Sequence, residues 1–486
     1  MQQLDLLVIG GGVNGAGIAR DAAGRGLSVL LVEQHDLASA TSALSSKLIH
    51  GGLRYLEQYE FRLVAEALAE REVLLRIAAH LVSPLRFVMP HVPELRPRWM
   101  IRTGLFLYDH LGRRTTLPGS QAVRLDAPPY ASGLRRELQH GFVYSDCRVD
   151  DARLVVANAM DARARGAELL TRTACLSARR EQGAWRATLA GGREVRARAI
   201  VNAAGPWVKR VLNERLSQPS ADDVRLVKGS HIVLPRLYEG EHAFILQNDD
   251  WRVVFMIPYE GSYTLVGTTD VPETGDPGAA AASNEEVAYL CRAVNRYLTR
   301  QVAPGDVVWR YAGVRPLYDD GTSDPSAITR DYTLRVDDVD GAAPVLSVFG
   351  GKITTYRRLA EQALDRLARY FPAMQPAWTD RCALPGSDFA GASPAQSFAQ
   401  LRARYAALPE PALRGIFRRH GALAAEVIGE GDLGEHYGAD LYERELRYFV
   451  EREWAGDAED VLWRRSKAGL HMTPQQRERV AARLGK

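Results

Sequence analysis

The chain has 486 residues, of which 46% are hydrophobic and 25% are charged, the balance of an ordinary globular protein. This length predicts about two or three domains, and a net charge of +3 gives no reason to expect nucleic acid as a partner. Four cysteines without a CxxC pair indicate neither a disulfide framework nor a zinc site, so no metal is expected. No charge-free run approaches the ~18 residues that cross a bilayer, and the predicted first strand leaves no room for a signal peptide. We therefore expect a cytoplasmic protein, or one that lies on a membrane surface.

The first predicted elements form a nucleotide-binding unit. Residues 6–32 read as strand, helix and strand, with Gly10-x-Gly12-x-x-Gly15 at the first turn. Gly10 permits the tight turn, Gly12 lets the backbone approach a pyrophosphate, and Gly15 lets the helix pack closely on the strand. The helix N-terminus offers free N–H groups to the phosphates. Glu33, about 20 residues beyond the first glycine, can accept the ribose hydroxyls, which favours FAD or NAD over NADP.

The next segments are less regular. Residues 39–46 are rich in small hydroxyl-bearing side chains, and residues 61–80 have apolar positions at helical spacing. Residues 84–140 are interrupted by prolines and are expected to be irregular and inserted. A further apolar strand ends at residues 205–207, Gly-Pro-Trp, which predicts a second close approach of the backbone to a ligand.

The second half of the chain changes character twice. Residues 226–316 alternate like antiparallel strands, whereas residues 345–370 return to a strand, a Gly-Gly turn and a helix. Residues 395–486 have a helical pattern, and their aromatic and basic side chains are more often the core of a helix pair than a membrane surface. The predicted division is 1–80, 141–215 and 325–375 for nucleotide binding, 81–140 and 216–324 for a sheet-rich cap, and 385–486 for a helical domain.

Six segments resemble the FAD-dependent glycerol-3-phosphate dehydrogenases, most closely the bacterial aerobic, respiratory type. They are SSKLIHGGLRYL at 45–56, KGSH at 228–231, VGTTD at 266–270, YAGVRPL at 311–317, ITRDY at 328–332 and FGGKITTYR at 349–357. The resemblance covers nearly the whole chain. It implies an α/β fold with a Rossmann-like FAD-binding domain of the amino-acid-oxidase-like superfamily, an antiparallel-sheet substrate (cap) domain and a C-terminal helical domain.

The same resemblance implies an activity and a location. Such an enzyme oxidises sn-glycerol 3-phosphate to dihydroxyacetone phosphate by hydride transfer from C2 of the substrate to N5 of FAD. It then passes two electrons to ubiquinone. The resemblance also implies a monotopic protein on the inner face of the cytoplasmic membrane, and a homodimer.

A phosphate monoester carries close to two negative charges and is best held by arginine and lysine. The resemblance puts Arg54, Arg315 and Lys352 at the substrate, with Tyr55 and Thr268 as hydroxyl partners. Each of the three cations has a glycine or proline nearby in the sequence, which favours exposure at a strand end.

The reaction also requires a base for the proton of the C2 hydroxyl. Histidine suits this task because its pKa lies near neutrality. His50 and His231 both lie in matched segments, so either one can be the base or can only orient the flavin or an arginine. Arg315 or a bound water acting as the acceptor stays open as well.

The cofactor is expected between two glycine-led helix starts. The helix after Gly350-Gly351 points its N-terminus, with Lys352, towards the negative charge of a reduced flavin. The predicted cofactor contacts are Gly10, Gly12, Val13, Asn14, Gly15, Glu33, Gln34, Thr41, Ser42, Ser45, Leu48, Gly205, Trp207, Gly351, Lys352, Ile353 and Thr354.

Three alternatives remain at this point. An FAD-dependent amine or amino-acid oxidase of the glycine or sarcosine oxidase type needs one arginine for a carboxylate, not three cations. A soluble glycerol-3-phosphate oxidase would use oxygen in place of quinone. A non-catalytic flavoprotein would lack a charged substrate pocket, and NAD as the sole dinucleotide is disfavoured by the second glycine-led helix.

Overall fold

The computed structural model describes residues 2–112, 116–319 and 331–485. Its strands follow in chain order: β1 (Gln2–Ile9), β2 (Val29–Val32), β3 (Leu48–Ile49), β4 (Val82–Pro90), β5 (Gln121–Arg124), β6 (His140–Val149), β7 (Glu168–Leu170), β8 (Cys175–Glu181), β9 (Ala184–Leu189), β10 (Glu194–Asn202), β11 (Val224–Pro235), β12 (Ala243–Gln247), β13 (Val253–Tyr259), β14 (Tyr263–Gly267), β15 (Val271–Pro272), β16 (Trp309–Tyr318), β17 (Thr333–Asp337), β18 (Val345–Phe349), β19 (His436–Gly438) and β20 (Leu441–Tyr442).

Helices alternate with these strands in the first half of the chain and dominate after β18. The α-helices are α1 (Val13–Gly24), α2 (Phe61–Ile77), α3 (Arg98–Leu111), α4 (Asp151–Ala164), α5 (Val208–Arg210), α6 (Asn284–Asn295), α7 (Tyr356–Leu367), α8 (Pro394–Arg404), α9 (Glu410–His420), α10 (Ala424–Ile428), α11 (Glu443–Glu453) and α12 (Pro474–Arg483).

The first sheet has the strand order β17-β18-β10-β1-β2-β7, with β9 beside β10 and β8 beside β9. β1 pairs in parallel with both β2 and β10. β2 is buried along its whole length, as expected for a parallel strand covered on both faces. Helices α1, α4 and α7 pack against one another over this sheet and carry much of its core. The sheet therefore confirms the predicted α/β fold.

The second sheet is mainly antiparallel, in the order β15-β11-β14-β13-β12-β4-β6-β3, with β16 beside β11 and β5 beside β6. The strands predicted between residues 226 and 316 are present, and β11 and β16 pair along ten positions from Val224 opposite Tyr318 to Val233 opposite Trp309. Helix α6 packs its apolar face on this sheet, against Ile232, Met256 and Val266.

Two expectations about residues 81–149 are wrong. Residues 84–140 are not irregular, because they contain most of β4, helix α3 and strand β5. The predicted boundary at residue 141 puts β6 in a different domain from β4, but the two strands pair through nine positions in the second sheet. An apolar run such as that of β6 fits either sheet, and only its pairing partner decides between them. The predicted boundary at 324–325 and the Ile328–Arg330 part of the ITRDY segment lie outside the described residues.

The C-terminal region is helical, as predicted, with two apolar cores of its own. Leu441, Leu446 and Phe449 are buried in the second of these cores. The region also contacts the rest of the molecule: the Trp463 ring stacks on the Trp309 ring of β16 with their centroids 4.8 Å apart. Within the described ranges, none of the helices combines the length and the apolar run that crossing a bilayer requires.

Candidate functional site

The turn between β1 and α1 is closed by contacts that only glycine allows. Gly10 has φ +114°, and a Cβ on it would lie 2.5 Å from the carbonyl oxygen of Ala203. A Cβ on Gly15 would lie 1.9 Å from the carbonyl oxygen of Gly10. The Ser42 hydroxyl accepts the N–H of Val13 at 3.0 Å, and Gly10, Gly12, Val13 and Asn14 line a cavity. This geometry is that of a phosphate-binding helix start.

Glu33 lies beside this turn, at the end of β2. Its carboxylate accepts the N–H of Gly11 at 2.6 Å and the N–H of His35 at 2.8 Å. Burial raises the pKa of Glu33, and these two hydrogen bonds oppose that rise. Glu33 and Gln34 both line the cavity, at the position from which an acid can accept ribose hydroxyls.

The hydroxyl-rich loop is held mainly by the protein itself. Thr41 donates its hydroxyl to the carbonyl oxygen of Val314 at 2.6 Å, and Ser45 donates to Asp151 at 2.7 Å. The loop lines the cavity, but these two hydroxyls are already engaged. Ser42 keeps its hydroxyl hydrogen for a ligand, because it acts only as an acceptor for Val13.

A second glycine-led turn lies beside the first and lines the same cavity. Gly350 and Gly351 have φ values of +82° and +106°, and a Cβ on Gly351 would lie 2.7 Å from the side-chain nitrogen of Asn14. Asn14 donates to the carbonyl oxygen of Gly350 at 3.2 Å, which ties the start of α1 to the turn before α7. The Oδ1 atom of Asn14 is buried without a hydrogen-bond partner. Because buried polar groups are normally satisfied, this atom indicates a ligand that donates to it.

The predicted substrate cations lie in the same cavity. Arg315 forms an ion pair with Asp270 and donates to the Thr268 hydroxyl at 3.0 Å. Gly229 makes room for both partners, since a Cβ there would lie 2.5 Å from the Arg315 guanidinium and 2.6 Å from the Thr268 hydroxyl. The sequence analysis assigned no role to Asp270, which neutralises part of the charge that Arg315 brings.

Lys352, Arg54 and Tyr55 also line this cavity. The Nζ atom of Lys352 lies 4.1 Å from the centroid of the Tyr55 ring, a distance at which the ring face attracts a cation. Arg54 lines the cavity beside Tyr55. The three cations and the two hydroxyl-bearing residues predicted for the substrate therefore all line one cavity, with Lys352 in contact with Tyr55 and Arg315 in contact with Thr268.

His231 is buried among groups that keep it neutral. Its Nε2 atom lies 2.9 Å from the Ser46 hydroxyl, and its ring stacks on Tyr311 with centroids 4.8 Å apart. Burial, followed by the charges of Arg315 and Lys47, holds the pKa of His231 well below its usual range. The same surroundings therefore favour the neutral form of the His231 ring.

His50 lies at another part of the cavity wall. Its ring is tilted against Phe255, with centroids 6.4 Å apart, and its backbone N–H approaches the Thr354 hydroxyl at 3.4 Å. Both histidines thus line the cavity, and the geometry does not select one of them as the base.

The cavity encloses about 880 Å³, within the range of cofactor and ligand pockets. Of the predicted site residues, Gly15 alone does not line it, because Gly15 packs α1 onto the turn. Sequence reasoning missed several lining residues that distant segments bring in: Arg172, Arg210, Ile245, Val253, Phe255, Asp270, Asp457, Asp460 and Arg464. Asp270 was within a recognised segment, but nothing local marked the others.

Comparisons with known proteins give a consistent result. The model of the FAD dependent oxidoreductase family (DAO) matches residues 5–357. A glycerol-3-phosphate dehydrogenase of Pseudomonas aeruginosa is 56% identical, over 99% of this chain and 94% of the relative. A D-erythritol 1-phosphate dehydrogenase of Brucella abortus is 51% identical, over 97% of this chain and 96% of the relative. The structure of the glycerol-3-phosphate dehydrogenase from Bacillus halodurans complexed with FAD matches with a TM-score of 0.73 at 26% identity, over 99% of this chain and 94% of that one.

Proposed function

The chain belongs to the family of FAD-dependent oxidoreductases, and we propose that it oxidises sn-glycerol 3-phosphate to dihydroxyacetone phosphate. The observation that supports this proposal is that one cavity is lined by three cations, Arg54, Arg315 and Lys352, together with the hydroxyl-bearing Tyr55 and Thr268. A glycine or sarcosine oxidase needs a single cation for its carboxylate, whereas a phosphate dianion suits several.

The cavity fits FAD, the cofactor of the family. Two helix starts face it, their glycines leave room that any Cβ would fill, and the unpartnered Oδ1 atom of Asn14 lies between them. Gly10, Gly12 and Ser42 would hold the pyrophosphate, Glu33 the ribose, and the backbone around Lys352 the flavin ring. When bound, FAD supplies two-electron oxidation chemistry, which no side chain can provide.

We propose that the cations orient the substrate for this oxidation. Lys352 and Arg54 attract the phosphate by their positive charge. Arg315 donates hydrogen bonds to the substrate from its guanidinium group, and Asp270 fixes the orientation of that group. Because a guanidinium has five N–H donors, Arg315 can hold Asp270, Thr268 and the substrate together.

The proton of the C2 hydroxyl passes in this proposal to a histidine of the cavity wall. His231 is supported by its neutral state and by the Ser46 hydroxyl, which fixes its ring. Burial and the charges of Arg315 and Lys47 lower the pKa of His231, which weakens the ring as a proton acceptor. His50 is the alternative acceptor.

A second substrate is favoured by one specific observation. The D-erythritol 1-phosphate dehydrogenase of Brucella abortus is similar to this chain over nearly its full length. D-Erythritol 1-phosphate is also a polyol phosphate, one carbon longer than glycerol 3-phosphate. The same three cations could bind its phosphate, so only the opposite end of the cavity could distinguish the two substrates.

The proposal is tested by anaerobic reduction of the bound flavin. We expect sn-glycerol 3-phosphate to bleach the yellow flavin band, and a soluble quinone to restore it faster than oxygen does. Bleaching by D-erythritol 1-phosphate alone would move the assignment to the second substrate. Bleaching by glycine or sarcosine alone would contradict the phosphate site, and faster reoxidation by oxygen would indicate a soluble oxidase.

We further propose that electrons pass to ubiquinone at the inner face of the cytoplasmic membrane, and that helix α3 contacts this membrane. Trp99 and Phe106 on α3 are 69% and 59% exposed, and Arg98 and Arg102 lie on the same exposed helix. Apolar side chains beside basic ones are typical of helices that lie in an anionic interface. The C-terminal aromatic residues, by contrast, form a core. Association into a homodimer stays a prediction.

This membrane surface gives a quantitative prediction. The double substitution Trp99→Ser and Phe106→Ser is expected to weaken binding to phosphatidylglycerol-containing vesicles by at least about tenfold, because two large apolar side chains no longer leave water. Vesicle co-sedimentation measures the binding, and turnover with a soluble quinone should not change. Leu176→Ser, at an exposed position of β8, is the control. Unchanged vesicle binding by the double variant would remove α3 from the membrane surface.

A further inference from the structure

A short C-terminal segment reaches the loop that follows Glu33. The π-helical residues Asp460–Arg465 end in two arginines that both bind Asp36. Arg465 donates two hydrogen bonds to the Asp36 carboxylate, at 2.8 and 2.7 Å, and Arg464 donates a third at 2.6 Å. The side chains of Asp36 and Arg465 are almost completely buried. Parallel bonds between a guanidinium and a carboxylate in such a place fix geometry strongly.

A second connection holds the same loop from its other side. Arg172 donates its backbone N–H to the carbonyl oxygen of His35 at 2.8 Å, and its side chain forms an ion pair with Asp460. Asp460 also accepts the N–H of Gly456 at 2.6 Å. Residues 33–36 are thus held between the first sheet and the C-terminal segment.

These contacts are part of the cavity wall as well as of an interface. Arg172, Asp457, Asp460 and Arg464 line the same cavity as Glu33. The matched family region ends at residue 357, so Asp457, Asp460 and Arg464 lie beyond it. The side of the cavity that adjoins Glu33 is the one that accepts the adenosine part of a dinucleotide.

We propose that Arg464 and Arg465, by binding Asp36, close the adenosine end of the FAD site and slow the release of FAD. The C-terminal helical region is then a component of the cofactor site, in addition to its own fold. Asp36 lines the cavity and also acts as a positioning residue, because its carboxylate holds the loop that presents Glu33 and Gln34. Arg464 acts at the wall itself.

The test measures FAD release from the purified holoenzyme. Asp36→Asn keeps the shape of the side chain but removes its charge, and Arg465 stays bonded to the Glu453 carbonyl oxygen. Arg464→Met keeps the Asp36–Arg465 pair and removes only the cavity-lining guanidinium. Each holoenzyme is diluted in series, and the appearance of free FAD is followed by its fluorescence. We expect both variants to release FAD about tenfold faster, because each weakens the charge-assisted contacts between the C-terminal segment and Asp36.

Two further measurements separate cofactor retention from general damage. The Michaelis constant for sn-glycerol 3-phosphate at saturating FAD should not change, and Arg479→Met, which removes an exposed ion pair with Glu435, should release FAD like the parent. Release no faster than in the Arg479→Met control, for both variants, would overturn the proposal and leave the contacts with a docking role. Because FAD release is independent of the substrate, this outcome is distinct from failure of the proposed function.

Discussion

Gly15→Ala is expected to yield a colourless protein. The added Cβ would lie 1.9 Å from the carbonyl oxygen of Gly10, and this oxygen belongs to backbone that cannot rotate away. Helix α1 must then move off β1, which shifts the N–H groups that would face the pyrophosphate. We expect FAD affinity to fall by more than about 100-fold, since overpacking of this size costs several kcal/mol.

The flavin absorbance of the purified variant, set against protein concentration, measures this effect. Gly104→Ala is the matched control, because Gly104 is also a helical glycine and no heavy atom would lie within 4 Å of its Cβ. Gly104→Ala should bind FAD fully. If Gly15→Ala retained FAD at the parent ratio, the close approach of α1 to the first turn would not be needed for the cofactor.

Arg315→Met is expected to have the second large effect, on the substrate. This change removes the guanidinium but leaves Asp270, whose negative charge would then face the phosphate without its partner. We expect kcat/KM for sn-glycerol 3-phosphate to fall by about 100- to 1,000-fold, mostly through KM. FAD should stay bound, because Arg315 lies at the other end of the cavity from Glu33 in this proposal.

A double substitution separates the two charges. Asp270→Asn in the Arg315→Met background should recover part of the lost affinity. The second substitution removes the repulsion between Asp270 and the phosphate, but it does not restore the hydrogen-bond donor that Arg315 supplied. Arg310→Met is the control on the same strand, where Arg310 binds Asn284 at the exposed surface. Wild-type KM in Arg315→Met would exclude Arg315 from the substrate site, and no recovery in the double variant would exclude repulsion by Asp270.

The parts of this molecule that were predictable from sequence are those that local backbone geometry dictates. Gly10, Gly12 and Gly15 between two apolar strands require a tight turn and a close helix, and the structure has both. The turn at Gly350 and Gly351 can be predicted in the same way, because two consecutive glycines between a strand and a helix indicate a tight turn. The strands of residues 226–316 were also found, since their alternation follows the sheet period.

What could not be predicted depends on pairing between distant segments. The apolar run of β6 fits either sheet, so the sequence does not show to which sheet this strand belongs. Its pairing with β4 places it in the second sheet and not in the nucleotide-binding part. The ion pair between Asp270 and Arg315 joins the turn after β14 to the interior of β16. The pair between Asp36 and Arg465 joins opposite ends of the sequence, and no local pattern around either residue indicates the other. The substrate and the activity were therefore predicted from resemblance to a known family, whereas the nucleotide-binding site was predicted from the glycine spacing and the strand pattern of this sequence.

The residues that line the cavity are spread over nearly the whole sequence, which affects when the cavity can form during synthesis. Its lining begins at Ile9 and ends at Arg464, and the parallel pairing that supports it joins Leu6 to Ala199. Contacts of such long range form slowly, and during synthesis the first strand leaves the ribosome long before its partner. The last lining residue emerges only when the chain is nearly finished. We therefore expect full retention of FAD only after translation, since a chain that ends before residue 464 lacks part of the cavity wall.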